Sequence, residues 1–338
     1  LRFSLAMGVA PGGDVRVSGE KFEAFRNFAN KVWNAARFVL MNLKNEAPAA
    51  LSAIDPALLE GPDRWGLTKY NEAIRGVTAG LESYDLGLSA QKIYDFAWSE
   101  FCDWYIEMAK PRLADEAGAP VARAVLYHVL IGLLKLLHPF MPFITDEVYH
   151  HLPGTEGSIM VSSWPETDAA LDFPEDEARM EGVMDIIRAV RNLRAEMNVA
   201  AGRKARLIVR PREGAVDWKG AIASSETYFK RLASVSQLEM IGEADLNPEK
   251  SASAVTDAGQ LFMPLGDLVD IDKELARLTK DRDATVRDIA RGEAMLKNAG
   301  FLAKAPAQLV ETEKAKLETS KVTLETLAAR IREIEALR

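Results

Sequence analysis

The four histidines, His128, His138, His150 and His151, are the first residues to weigh, because imidazole titrates near neutral pH and ligates metals. They form no His-x-x-x-His pair, and no set with the single cysteine, Cys102, at metal-ligand spacing. His150 and His151 stand at a predicted helix end and read as a surface pair favoured by the helix dipole. Cys102 cannot make a disulfide within the chain and reads as a small buried hydrophobe. There is no Gly-x-x-x-x-Gly-Lys-Ser/Thr loop for a nucleotide phosphate and no Gly-x-Ser-x-Gly elbow for a nucleophile. Carboxylates are numerous but fall on solvated helix faces. The residue types assemble no catalytic constellation, so this chain alone is not expected to perform chemistry.

Binding is better supported. Arg188, Arg191, Arg194, Arg203, Lys204, Arg206, Arg210 and Arg212 fall in one run whose only acid is Glu196, a local charge of +7 in a chain of net −8. Arg188, Arg191 and Arg194 are three apart, along one flank of a predicted helix. Such a stripe can neutralise phosphates; alternatively these arginines pair with acids of neighbouring helices. A second set lies on the first strong helix: Arg26, Asn27, Asn30, Lys31, Asn34, Arg37 and Phe38. Asparagine costs about 0.5 kcal/mol per residue in a helix relative to alanine, so three of them need a compensation. Amide bonds to neighbouring loops would supply one. Reading exposed base edges, with Phe38 as a stacking face, would supply another.

The elements that must position these residues are mostly helices. The helix over 20–43 buries Phe22, Phe25, Ala29, Val32, Ala36 and Val39 on one face, with Ser18 as its N-cap. Pro48, Pro56, Gly61 and Pro62 make 45–62 loop-like or briefly helical. Helices follow over 65–86 and 89–110, the latter stopped by Pro111. Two more cover 119–137 and 140–152, with Pro139 and Pro142 at their junction. The sum is a helical bundle over 1–153. A small α+β module over 154–266 has a helix at 175–198, a strand at 205–210, a helix at 217–232 and strands near 235–241 and 260–264. From Leu268 an apolar heptad seam runs to Leu296, breaks at Asn298, Gly300 and Pro306, and resumes from Val310 to Ile334. The short link predicts a long antiparallel coiled-coil hairpin over 267–338, each arm roughly 45 Å at 1.5 Å per residue.

Composition sets limits on all of this. A length of 338 residues, 48% hydrophobic, allows two to three domains with packed cores. Net acidity argues against indiscriminate nucleic-acid binding and leaves room for a local basic stripe. No signal peptide or uninterrupted apolar run of eighteen residues is found, so a soluble, intracellular protein is expected. The opening Leu1-Arg2-Phe3-Ser4-Leu5-Ala6-Met7 reads as mid-helix with no N-cap before it, so the chain is expected to be part of a longer polypeptide. The hairpin, with fourteen basic and fourteen acidic residues, is neutral. By charge alone it suits a structural or protein-binding role, and a helical coiled-coil adaptor is one reading of the whole.

Several segments resemble the valyl-tRNA synthetase family. Arg26-Asn27-Phe28-Ala29-Asn30-Lys31-Val32-Trp33-Asn34-Ala35-Ala36-Arg37-Phe38-Val39 is similar to the first helix of its anticodon-binding domain. Trp98-Ser99-Glu100-Phe101-Cys102-Asp103-Trp104-Tyr105-Ile106-Glu107 resembles that domain's long helix. Leu137-His138-Pro139-Phe140-Met141-Pro142-Phe143-Ile144-Thr145-Asp146-Glu147 matches a segment shared with the isoleucine and leucine enzymes, and Arg191-Asn192-Leu193-Arg194-Ala195-Glu196-Met197 resembles the arginine-bearing helix that follows. Leu296-Lys297-Asn298-Ala299-Gly300-Phe301 with Lys304-Ala305-Pro306 is similar to the tip of the valine enzyme's coiled coil, and favours valine over the sister enzymes.

The resemblance implies a mainly α fold: a helical-bundle anticodon-binding domain, a small α+β module and a coiled-coil arm. It implies a parent enzyme, valine–tRNA ligase, that activates valine with ATP and Mg and joins it to its tRNA. The His-Ile-Gly-His-like and Lys-Met-Ser-Lys-Ser-like signatures of that chemistry do not occur in this chain, nor does the editing domain. The chain is therefore expected to bind valine-specific tRNA without aminoacylating it, to need no cofactor of its own, and to act as a cytoplasmic monomer without membrane or DNA partners. By resemblance, Lys31, Asn34, Arg37 and Phe38 are the anticodon candidates. Arg188, Arg191 and Arg194 are candidates for the tRNA backbone, and Phe301 and Lys304 for contacts at the hairpin tip.

Overall fold

Ser18 begins the first long helix as its type predicts: its Oγ accepts the Lys21 amide at 3.3 Å, and helix α2 (Gly19–Leu43) follows. A short α1 (Arg2–Ala6) precedes it. A computed structural model describes residues 1–7, 18–268, 271–297 and 307–335. The described chain divides into two compact units, one of residues 1–184 with 213–228, the other of 185–212 with 229–338.

The first unit is a helical bundle. The buried face of α2 is Phe28, Val32, Ala35, Ala36, Val39 and Leu43; Phe22, Phe25 and Ala29 are only half-buried. The 45–62 region makes two 3-10 turns at Leu51–Ala53 and Pro56–Leu58. Helix α3 (Gly61–Glu82) starts four residues before the apolar pattern, with Pro62 in its first turn, where a missing N–H costs nothing. Helix α4 (Leu86–Asp95) runs without a break into wide π-type turns at Phe96–Tyr105, then into α5 (Ile106–Leu113). Pro111 therefore does not stop the helix, contrary to the sequence reading. It sits in the last turn, where it removes a single backbone bond and leaves nothing downstream to break.

Helix α6 (Ala119–Leu137) is apolar almost all round and lies at the centre, packed on α2, α3, α4, α5 and α7 (Pro142–His151). Among the described residues it alone is long and apolar enough to cross a membrane by length and composition, but 67% of that window is buried within the protein, as befits a core helix. The start of α8 (Pro174–Glu196) and the segment before it are tied to α3 by polar bonds. Arg64 meets Asp176 at 3.2 Å, Lys69 meets Glu177 and, at 2.7 Å, Glu181, and Arg75 meets Asp172 at 2.9 Å.

The second unit holds a four-stranded sheet in the order β2-β1-β4-β3, from β1 (Ala205–Pro211), β2 (Val235–Met240), β3 (Ser251–Thr256) and β4 (Gly259–Pro264). Strands β1 and β2 pair in parallel, the other two pairs antiparallel. A parallel pair needs a crossover, and the connection carries α9 (Trp218–Ser224) and α10 (Glu226–Leu232), two helices where the sequence predicts one. The β3–β4 turn ends at Gly259, whose φ is +149°; a Cβ there would overlap the Arg210 carbonyl oxygen, so only glycine fits.

After α11 (Leu265–Leu268), α12 (Ile271–Lys297) and α13 (Ala307–Glu335) pack along each other. Leu278 packs with Ile331, flanked by Leu275 and Leu327, while Gly292 lies against Leu317. One number rises as its partner falls, so the pair is antiparallel, as the seam predicts.

Candidate nucleic-acid interface

The outward side of α2 follows from its inward one. With Phe28, Val32, Ala36 and Val39 committed to the core, a 3.6-residue period turns Arg26, Asn30, Asn34, Arg37 and Met41 to solvent. Asn30, Asn34 and Arg37 have no hydrogen-bond or ion-pair partner among the described residues, so no described loop compensates these asparagines. Trp33 is 43% exposed on the flank of this face and Met41 is 71% exposed at its end. Sequence reasoning passed over Trp33; its place between Asn30 and Arg37 at i+3 and i+4 was the available signal. The face therefore offers amides, a guanidinium and an indole, the groups that bond to base edges and stack on bases.

Lys31 and Phe38 sit on the opposite flank and are engaged within the protein. The Lys31 ammonium pairs with Asp103 at 2.5 Å and lies 3.8 Å from the centre of the Trp98 ring. The Phe38 ring is half-buried, with the Lys110 ammonium 5.5 Å from its centre. Cys102 is half-buried beside this cluster, and burial pushes its thiol up to about 12, out of nucleophilic range.

The basic run has mixed surroundings. Arg188 pairs with Asp185 at 2.6 Å. Arg191 donates through Nε to the Leu232 carbonyl at 2.8 Å. Arg194 is buried and donates to the Ala200 carbonyl at 3.2 Å; desolvation lowers its pKa. Arg203 donates to the carbonyls of Gly266 and Asp267, and Arg206 pairs with Asp267 at 2.8 Å. Arg210 clasps the 242–247 loop through the carbonyls of Gly242 and Asp245 and the Asn247 side chain. Carbonyl acceptors carry no net charge, so these clasps hold loops in place while leaving the positive field standing. Both readings of the run thus find residues: Arg206 is paired with acid, whereas Arg194 and Arg210 keep uncompensated charge.

The tip candidates Phe301 and Lys304, with Gly300 and Pro306, lie outside the described residues. His150 and His151 are exposed, each with an acidic residue one turn back, Asp146 and Glu147. No group of three His, Cys, Asp or Glu among the described residues is placed to hold a metal ion.

Residues 63–209 match the anticodon-binding domain of tRNA ligases, and residues 270–335 match the valyl tRNA synthetase tRNA binding arm. The helix α2 face lies just before the first of these segments. Valine–tRNA ligases of Clostridium acetobutylicum and Clostridium perfringens are each 44% identical to the chain, over 98% and 99% of it. That of Bacillus cereus is 39% identical over 99%. The chain spans only 37 to 38% of the length of these relatives. A solved complex of Agrobacterium radiobacter K84 agnB2 LeuRS with tRNA and LeuAMS covers 71% of this chain and 28% of its own at 16% identity and a TM-score of 0.39, a likeness too weak to place any residue. With both segments matched in order and identity sustained along nearly its whole length, the chain belongs to the valyl-tRNA synthetase family, as the C-terminal part that carries the anticodon-binding domain and the tRNA-binding arm.

Proposed function

We propose that this chain is the tRNA-holding part of a valine–tRNA ligase, which activates valine with ATP and Mg and attaches it to its tRNA. The reading rests above all on the two matched segments occurring together on one chain. The exposed face of α2 supports it, because Asn30, Asn34 and Arg37 present unengaged donors and acceptors there. We assign Asn34 and Arg37 to unpaired anticodon bases, with Lys31 and Phe38 at the edge of the same site. Arg188, Arg191 and Arg194 go to the backbone, and Phe301 and Lys304 to the outer corner of the tRNA. The neutral arm then supports by shape, and the arginines supply the electrostatic attraction. ATP and Mg belong to the catalytic region of the parent enzyme; the described residues here offer no metal ligand set. The chain is taken to work as a cytoplasmic monomer, with neither membrane nor DNA as partner.

Filter binding of valine tRNA and of a non-cognate tRNA, across a salt series, tests the proposal. The expected result is tighter binding of valine tRNA, with affinity falling linearly in log salt. Asn34→Ala and Arg37→Ala should each reduce the preference for valine tRNA. No binding, or binding indifferent to salt, would favour a protein-partner adaptor instead.

A further inference from the structure

We propose that the C-terminal end of α8 carries a socket for a phosphate group, built around Arg194 and Arg191. The choice of RNA phosphodiester as its source rests on the tRNA-holding reading; the socket itself does not.

Arg194 is only 7% exposed. Among the described residues its one hydrogen bond goes to a neutral acceptor, the Ala200 carbonyl, and its Nη1 nitrogen is buried without an acceptor. No carboxylate pairs with it among the described residues. The other buried arginine among the described residues, Arg112, shows the usual solution: it has Asp63 and Glu60 as partners. A desolvated guanidinium without a counter-charge is costly, and a bound anion removes that cost.

The surroundings suit one. Arg194 lines a pocket of about 530 Å³ together with Arg191, Asn198, Leu232 and Ser234, and no acidic residue contributes to its wall. Arg191 is anchored by its Nε bond to the Leu232 carbonyl. A helix C-terminus ordinarily repels anions, but here the end is closed on itself. The Val199 amide donates to the Arg194 carbonyl at 2.9 Å and the Asn198 amide to the Ala195 carbonyl at 3.0 Å, with Asn198 left-handed at φ 52°. This is the double bond of a Schellman cap, and it covers carbonyls that would face the ligand. The Asn198 side chain has no partner among the described residues, and Ser234 Oγ makes only a 3.5 Å bond to the Ala201 carbonyl. Guanidinium, amide and hydroxyl donors around an acid-free pocket recognise a tetrahedral oxyanion.

Asn198→Asp in the full chain tests this, since it puts a carboxylate in the pocket at a backbone conformation that Asp tolerates. Asn198→Ser is the neutral control, and circular dichroism checks that both variants fold. The native chain should broaden the ³¹P resonance of inorganic phosphate saturably. Asn198→Asp should weaken that affinity at least about tenfold, while Asn198→Ser largely keeps it. For tRNA, Asn198→Asp should lower affinity about fivefold and reduce the log-log salt slope by about one. Both effects together assign the socket to an RNA phosphodiester; the first alone, with tRNA binding unchanged, supports the socket and assigns it to free phosphate. No broadening by the native chain, or equal broadening by the Asp variant, overturns the socket even if tRNA binds. Failure of every form to bind tRNA overturns the tRNA-holding reading and leaves the ³¹P result to decide the socket.

Discussion

Arg112 donates through Nη1 to Asp63 Oδ2 in the interior of the helical bundle, Asp63 being 1% exposed and Arg112 7%. The pair does not stand alone. The Tyr105 hydroxyl donates to the other Asp63 oxygen at 3.0 Å, the Glu60 amide donates to Asp63 at 3.0 Å, and Arg112 also reaches Glu60 at 3.1 Å and the Leu58 carbonyl at 3.2 Å. The network joins the start of α3 to the last turn of α5, across 49 positions of sequence. Removing one partner leaves the other charge buried, a loss of about 3–5 kcal/mol. Asp63→Ala and Arg112→Met should each destabilise the chain by that order in denaturant unfolding. The double variant should lose less than the sum of the two.

Glu100 gives stability a pH dependence. Burial raises its carboxyl, Lys69 lowers it, and Glu72, Asp95 and Glu181 raise it, to about 7 against an ordinary 4.5. Between these values the folded chain holds more protons at this site than the unfolded one. Stability from this site is therefore full below about 4.5, falls as pH rises, and levels above about 7. The span is up to about 3 kcal/mol. Glu100→Gln should flatten the fall and raise stability at pH 8. Unchanged unfolding midpoints at pH 5 and pH 8, relative to the native chain, would refute the assignment.

Gly132 faces the ring of Tyr70 within the bundle. A Cβ at Gly132 would overlap the Tyr70 hydroxyl and the ring atoms beside it. Gly132→Ala should therefore cost more than the helix-propensity gain of about 1 kcal/mol, through overpacking of about 1–3 kcal/mol or above. Tyr70→Leu in the same chain should recover part of that loss. Thermal unfolding of the three variants reads this directly.

The arm rests on a narrow seam. Leu278 is 3% exposed and Ile331 8%. Leu278→Ala should loosen the hairpin by about 2–5 kcal/mol. Limited proteolysis should then cut within 271–335 sooner than in the native chain, with the bundle still intact. If the arm supports tRNA by shape, affinity should drop several-fold with no change in salt slope.

Much of the fold was legible because long helices write their buried faces at 3.6-residue spacing. The α2, α6 and α8 boundaries all fall within three residues of the pattern. Strand β3 left no such trace: Ser251–Thr256 is an edge strand of small residues, with too little apolar contrast to alternate. The Arg64, Lys69 and Arg75 ties were invisible because they join residues about a hundred positions apart. Of the candidate site, the α2 face could be drawn on a helical wheel from sequence. The burial of Arg194 could not, since nothing in its type or spacing separates it from the exposed Arg188.

The wide turns at Phe96–Tyr105 have a consequence for how this chain can vary in length. Trp98 and Asp103, five positions apart, both reach Lys31. In an ordinary α-helix five residues sweep about 500°, which would leave these two side chains about 140° apart. The i→i+5 pattern brings them nearly into line. Substitutions such as Trp98→Tyr can keep a ring over the ammonium. Losing a single residue between Trp98 and Asp103 and returning to normal pitch would set the two four positions and about 40° apart, so both could still reach Lys31. The wide turns thus take up one extra position without parting the two partners, and a one-residue drift in length is open to this segment.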